Sequence, residues 1–215
     1  MKKKKRIDNL QIVSGIVIFL SFLSLILTSS DGSTIEQTYQ FPESYLQDGI
    51  DPAWGDAINK ALKEYQIDVR YPARPWYGKP FILQITLTER DGEINSTEET
   101  GNPAFFILDT NLDLKGVEVK PSQRLLLPIQ LPQTGFVQWE ILANTSDIES
   151  GRVWISLLPG ADAKNSIPVL VLPITIEVRT VCGLKIWIWR VLWVGFGIAG
   201  IGILIFRRVK KTKDI

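Results

Sequence analysis

The sequence predicts a mainly β protein: an antiparallel β-sandwich of about eight short strands with one short amphipathic helix, flanked by two transmembrane α-helices. Three observations predict it. Two uncharged apolar runs, Ile12–Leu27 and Val191–Phe206, lie towards the ends of the 215 residues. Between them, apolar and polar residues alternate with a period of two, the pattern of antiparallel strands with one buried and one wet face. The charges are segregated: Lys2–Arg6 and Lys185–Lys213 hold twelve of the 24 Lys and Arg, whereas 21 of the 23 acids lie between Asp31 and Cys182.

The first run extends from Leu10 to Thr28, long enough to cross a hydrocarbon core of ~30 Å at ~1.5 Å per residue. Residues 1–9 are a basic tail and 10–29 the first transmembrane helix. With Lys2–Arg6 before the run and Ser29-Ser30-Asp31-Gly32 after it, the positive-inside rule puts the N-terminus in the cytoplasm. A cleaved signal peptide would start in the same way. The length of the run and the lack of an Ala-x-Ala pair after it favour a retained signal-anchor, and no cysteine follows to make a lipoprotein site.

The second transmembrane helix is expected over 185–206, with 207–215 a second cytoplasmic basic tail. Its strictly uncharged part, Val191–Phe206, is short. Arg190 is therefore expected at the outer interface, snorkelling towards headgroups. Trp187, Trp189 and Trp193 have the composition of an aromatic interfacial belt. Both basic ends give the same orientation, a two-pass protein of the plasma membrane with an extracytoplasmic centre and the lipid bilayer as its first partner. The ends are expected to be too short for a signalling domain. Gly195, Ala199 and Gly202 fall at i, i+4 and i+7, and Ser14, Ser21 and Thr28 at spacings of seven. Small faces let helices approach closely in lipid, either as an antiparallel pair of these two spans or against another membrane subunit.

Residues 30–64 are expected to be a linker and a short helix. Asp51-Pro52 supplies an N-cap and a first-turn proline, and Trp54, Ala57, Ile58, Ala61, Leu62 and Tyr65 follow at helical spacing. The helix either packs on the domain or lies on the membrane surface.

The sandwich is expected over 65–183. Its strands are Tyr65–Tyr71, Phe81–Leu87, Ala104–Leu108, Val117–Val119, Leu125–Leu131, Val137–Ile141, Val153–Leu157 and Leu170–Val178. Turn-forming clusters separate them at Asp91-Gly92, Asn111-Leu112-Asp113, Pro132–Gly135 and Pro159-Gly160. Pro128 and Pro173 cannot donate to a ladder, so their strands should be edges or contain bulges. Trp139 is expected inward on a central strand.

Strand count, the inward Trp139 and the run from Gly151 through Val153-Trp154-Ile155 make the stretch from about Asp68 to Arg179 resemble immunoglobulin-like ectodomains carried next to a membrane span. The inter-sheet cysteine pair of true immunoglobulin domains is absent, because Cys182 is the sole cysteine. The resemblance implies adhesion or assembly as the kind of function, although fold alone does not assign one.

Chemistry is constrained more by what is missing. The chain has no histidine, which removes Ser-His-Asp and Cys-His nucleophile systems and histidine-based metal sites. The acidic middle argues against nucleic acid, whose phosphates require cations. No cofactor fingerprint is present. The loop Glu89–Glu99 clusters carboxylates that could hold calcium weakly, although a solvated hairpin tip accounts for it as well. Asp109-Thr-Asn111-Leu-Asp113 opens like an EF-hand, but Leu114 replaces the required glycine and Lys120 the closing ligand, so a turn is the better account. Asn95-Ser-Thr and Asn144-Thr-Ser match the glycosylation sequon. Cys182 reads as a boundary residue or as half of an intermolecular disulfide. Trp76, Tyr77 and Trp154 fall outside the inward sets and are candidate partner contacts.

The reading is a non-enzymatic membrane protein whose extracytoplasmic sandwich binds another membrane or extracytoplasmic protein. The alternative, from a different class, is a carbohydrate-binding or carboxylate-based hydrolytic ectodomain, which needs two carboxylates converging in a pocket.

Overall fold

Backbone pairing follows the alternation closely. The computed structural model describes residues 9–29, 32–41, 62–63, 65–90, 105–130, 134–158 and 166–213. Among these residues two long helices, α1 (Asn9–Ser29) and α2 (Ile186–Lys213), bracket nine strands. These are β1 (Thr34–Gln40), β2 (Tyr65–Pro72), β3 (Phe81–Glu89), β4 (Phe105–Leu114), β5 (Val117–Lys120), β6 (Arg124–Gln130), β7 (Gly135–Ala143), β8 (Ile148–Leu158) and β9 (Ile167–Glu177). The chain divides into a β unit, Gly32–Arg179, and a helical unit that joins the first 31 residues to Thr180–Ile215.

All strand pairs are antiparallel, in a five-stranded sheet of order β1-β2-β3-β7-β5 and a four-stranded sheet of order β6-β4-β8-β9. Inward residues of both sheets make one core, from Ile67, Leu83 and Trp139 on one side to Leu108, Ile155 and Leu172 on the other. Trp139 is fully buried, and its indole Nε1 donates to the Ser122 carbonyl at 3.0 Å. Such a partner is what a buried tryptophan needs. In the five-stranded sheet β2, β3 and β7 adjoin as strands A, B and E of an immunoglobulin sandwich do; in the other, β4, β8 and β9 adjoin as C, F and G do. Trp139 therefore occupies the place of strand E, whereas the immunoglobulin tryptophan belongs to strand C.

Both proline expectations hold: β6 with Pro128 and β9 with Pro173 are the edges of the four-stranded sheet. β9 also carries a bulge, because Ile155 pairs with Leu170 while Ser156 pairs with Pro168, leaving Val169 over.

Three expectations change. The linker assigned to residues 30–64 contains β1, an edge strand whose Ile35 and Tyr39 pack on the core. Its polar composition hid it, since an edge strand buries little. The turn expected at Asn111-Leu112-Asp113 is instead part of β4, because Leu112 and Leu114 continue the inward set while Asn111 and Asp113 face solvent. The chain turns at Lys115-Gly116, where Gly116 has φ +70°. Finally, α2 continues through the basic tail to Lys213. Of the expected short helix, Asp51–Ala61 lie outside the described residues; Leu62 is buried and Tyr65 opens β2.

Candidate interaction surfaces

Both helices have the length and apolarity to cross a membrane, and only 17% and 6% of their span residues are buried, unlike a core helix of a soluble protein. On α1 the buried side chains include Ser14, Ser21 and Thr28, the residues spaced by seven, while Phe19 and Phe22 face outward. The Ser21 and Thr28 hydroxyls donate to their own helix, to the carbonyls of Val17 at 2.8 Å and Ser24 at 2.9 Å. They cross the contact as small, satisfied groups.

The small residues of α2 that meet α1 are Gly197 and Gly200. A Cβ would stand 3.1 Å from Ile18 at Gly200 and 3.6 Å from Ser21 at Gly197. Gly195 and Gly202 have nothing within 4 Å, and Ala199 is exposed. The stripe Gly195–Ala199–Gly202 thus lies outside the contact. Trp193, Gly197, Gly200 and Leu204 share the same helical spacing, but their large members conceal the stripe in the sequence.

Two polar clasps join the helices. The Trp189 indole Nε1 donates to Ser24 Oγ at 2.8 Å. The Arg190 guanidinium donates through Nη2 to the Thr28 carbonyl. That carbonyl is among the last of α1, which lack partners within the helix, and a cation there opposes the negative end of the helix dipole. Arg190 is thus a cap on the other helix. Trp193 packs edge-on against Trp189 and Phe196, with centroids 5.7 and 5.9 Å apart; Trp187 is exposed. Cys182 is exposed in the turn before α2, where Cys182 and Gly183 have φ of 54° and 70° and the Leu184 amide donates to the Val181 carbonyl at 3.0 Å.

In the β unit, Trp76 and Tyr77 belong to a strap, residues 73–79, that leaves β2 and stitches the two ends of the unit together. The Ala73 amide donates to the Ser33 carbonyl at 2.8 Å. The Arg179 amide donates to Pro75 at 2.8 Å, and the Tyr77 amide to Arg179 at 2.9 Å. Arg74 pairs with Glu177 at 2.7 Å, and the Arg179 guanidinium lies 5.8 Å from the Trp76 ring. Tyr77 packs on the core. These aromatics are therefore held within the fold.

The outer faces of both sheets mix paired polar groups with exposed apolar residues, Ile82 and Phe136 on the five-stranded sheet among them. On the five-stranded sheet Asp68 accepts from Thr38 and Thr88, both at 2.6 Å, and Arg70 pairs with Glu36 at 3.1 Å. On the four-stranded sheet Trp154 and Val171 face each other across β8 and β9, and each is 39% exposed. Asp109 lies on the same face, mostly buried under a bidentate pair with Arg124 Nε and Nη2, each 2.8 Å; Asp109 raises the pKa of the Arg124 guanidinium through that hydrogen bond and its charge. Glu149 is buried and accepts from Thr145. Asn144 is exposed. Of the acidic loop, residues 91–99, including Asn95, lie outside the described residues. Among the described residues no three His, Cys, Asp or Glu side chains form a metal-binding group.

No protein family and no curated protein matches the chain. Solved structures are similar at 8–11% identity. One is the complex of zinc 2-glycoprotein and prolactin inducible protein from human seminal plasma, with 9% identity, TM-score 0.36, and coverage of 53% of this chain and 93% of that one. A cohesin module of a Clostridium perfringens family 33 glycoside hydrolase has 8% identity and TM-score 0.30, covering 53% and 95%. A β-glucosidase from Listeria innocua has 11% identity and TM-score 0.26, covering 54% and 16%.

Proposed function

We propose that this chain is a two-pass protein of the plasma membrane, both termini cytoplasmic, that holds a non-enzymatic β-sandwich outside the cytoplasm as an assembly module for another protein. One observation carries the topology: the two ends of the β unit meet. A Cβ at Gly32 would stand 3.6 Å from the Arg179 guanidinium, and the strap binds the segments on both sides. A domain whose chain enters and leaves at one point returns the second span towards the side from which the first arrived. The basic ends then mark that side as cytoplasmic. The clasps support a retained signal-anchor, since removing α1 would strip Trp189 and Arg190 of their partners. For the non-enzymatic reading, the support is that Asp68, Asp109, Glu36 and Glu177 are each engaged by a neighbour. Trp154 and Val171, an exposed cross-strand apolar pair on the outer face of the four-stranded sheet, are the surface assigned to the partner.

In a Cys182→Ser background, cysteines placed at Ser33 and Glu140 should react with an impermeant thiol reagent on intact cells. Cysteines at Lys3 and Lys213 should react only after permeabilisation. External labelling of either tail, or a mature N-terminus near Ser30, overturns the topology. Trp154→Asp should lose the protein that co-purifies with the wild-type chain from mild detergent; unchanged recovery removes Trp154 from the interface.

A further inference from the structure

Sheet edges offer unpaired backbone groups to other chains, and proteins protect them with proline, bulges, basic residues or brevity. Of the four edges of this sandwich, three are protected. β6 carries Pro128. β9 carries Pro168, Pro173 and the bulge at Val169. β5 has four residues, ends in Lys120 and is followed by Pro121. β1 is different. It has seven residues, Thr-Ile-Glu-Gln-Thr-Tyr-Gln, without proline, Lys, Arg or bulge, paired with β2 in unbroken register from Thr34↔Pro72 to Gln40↔Gln66. Among the described residues no strand pairs with its other side.

The free groups can be assigned. The Ser33 carbonyl accepts from Ala73, in the same register as the β1–β2 ladder. In an antiparallel ladder, alternate residues turn both backbone groups the same way. Ile35, Gln37 and Tyr39 therefore bond β2, and the N–H and C=O of Thr34, Glu36, Thr38 and Gln40 point to the open edge.

We infer that β1 pairs antiparallel with β1 of a second copy about a two-fold axis at Gln37, joining two five-stranded sheets into one of ten strands. Side-chain complementarity singles out this register. Centred on Gln37, all seven residues overlap. Ile35 meets the partner copy's Tyr39 on the inner face, an aromatic–β-branched pair of the kind that stabilises sheets. Glu36 meets Thr38 and exchanges both backbone hydrogen bonds with it. Glu36 keeps its Arg70 partner at 3.1 Å, so its charge is already balanced. Centring on Glu36 would oppose two carboxylates, and centring on Thr38 would shorten the overlap. Such a contact is isologous and closed, as two-fold dimers are. This surface is separate from the Trp154 face and extends the assembly reading without depending on it.

At the axis, Gln37 faces its own copy in a non-hydrogen-bonded pair, where Cα atoms lie about 4.5 Å apart, within disulfide range. In the full chain with Cys182→Ser, Gln37→Cys should form a disulfide-linked dimer under mild oxidation, in native membranes and after detergent extraction. Thr34→Cys, which faces Gln40, should give at least tenfold less. Glu36→Pro removes an edge N–H that β2 does not use, so it should abolish the Gln37→Cys cross-link while leaving the melting temperature of the chain near that of wild type. Equal cross-linking at positions 34 and 37, or a cross-link undiminished by Glu36→Pro in a folded chain, overturns the proposal. If Glu36→Pro fails to fold, the contrast between positions 34 and 37 decides alone.

Discussion

The helix pair and the sandwich are built inside out relative to each other. In the sandwich the largest fully buried side chains are Trp139, Phe106 and aliphatic residues, while Glu36, Gln138 and Glu140 are exposed. In the helix pair Ser14, Ser21 and Thr28 are buried, while Phe19, Phe22 and Phe206 are 62–71% exposed. In water the hydrophobic effect rewards the first arrangement. Hydrocarbon provides no such drive, so helices there associate through small residues and a few hydrogen bonds. The contrast teaches that apolar content alone says little about burial: the same residue types are core in one region and outer surface in the other.

Substitutions can break or sharpen this contrast. The largest expected effect is Trp139→Ala, which removes a fully buried side chain and should cost about 3–5 kcal/mol, read as a lower melting temperature of the full chain in detergent. Phe19→Arg, on the outward face of α1, should cost about 3 kcal/mol in membrane insertion, measured as loss of the inserted form. Gln138→Arg on the sandwich surface should change stability by less than about 0.5 kcal/mol. If the two arginines behave alike, the helix face is not solvated by lipid. Gly151→Ala should cost about 1–3 kcal/mol by overpacking, since its Cβ would collide with the Asp113 carbonyl; Gly202→Ala, with open space around it, should be silent. Ser24→Ala should weaken the helix pair by about 0.6 kcal/mol, measured by susceptibility of the clasp to heat in detergent.

The smallest effect at neutral pH is that of Tyr71. Burial raises its pKa above the ordinary value near 10, reinforced by Tyr39 and opposed by a backbone hydrogen bond at Thr175. A phenol with a raised folded pKa contributes stability that is complete below the unfolded pKa. That stability is lost as pH rises through about 10 towards the folded value. Tyr71→Phe should flatten the fall of melting temperature above pH 10 and leave the neutral value nearly unchanged.

Most of the fold was legible because alternation marks an inward face directly, as at Phe81, Leu83, Ile85 and Leu87. It failed where burial is slight or local residue type misleads. β1 looked like a linker because Ile35 and Tyr39 alone face the core, and Asn111 and Asp113 looked like a turn because both have turn preferences on a face open to water. The surfaces were legible in part. Trp154 is exposed as its parity requires, and Ser14 and Ser21 do meet the second helix. Trp76 and Tyr77 are absorbed by the strap, whose hydrogen bonds to Ser33 and Arg179 span distances in sequence that no local pattern records.

Composition and order alone determined the two apolar spans, the charge that brackets them and the antiparallel β character between them, since periodicity and charge are local properties of a chain. Tertiary structure alone decided which glycines of α2 meet α1, that Arg190 caps the other helix, that both ends of the β unit meet on one strap, and that β1 forms an edge of the five-stranded sheet. Each of these depends on which distant residues become neighbours, and many sequences with the same pattern would leave that choice unmade.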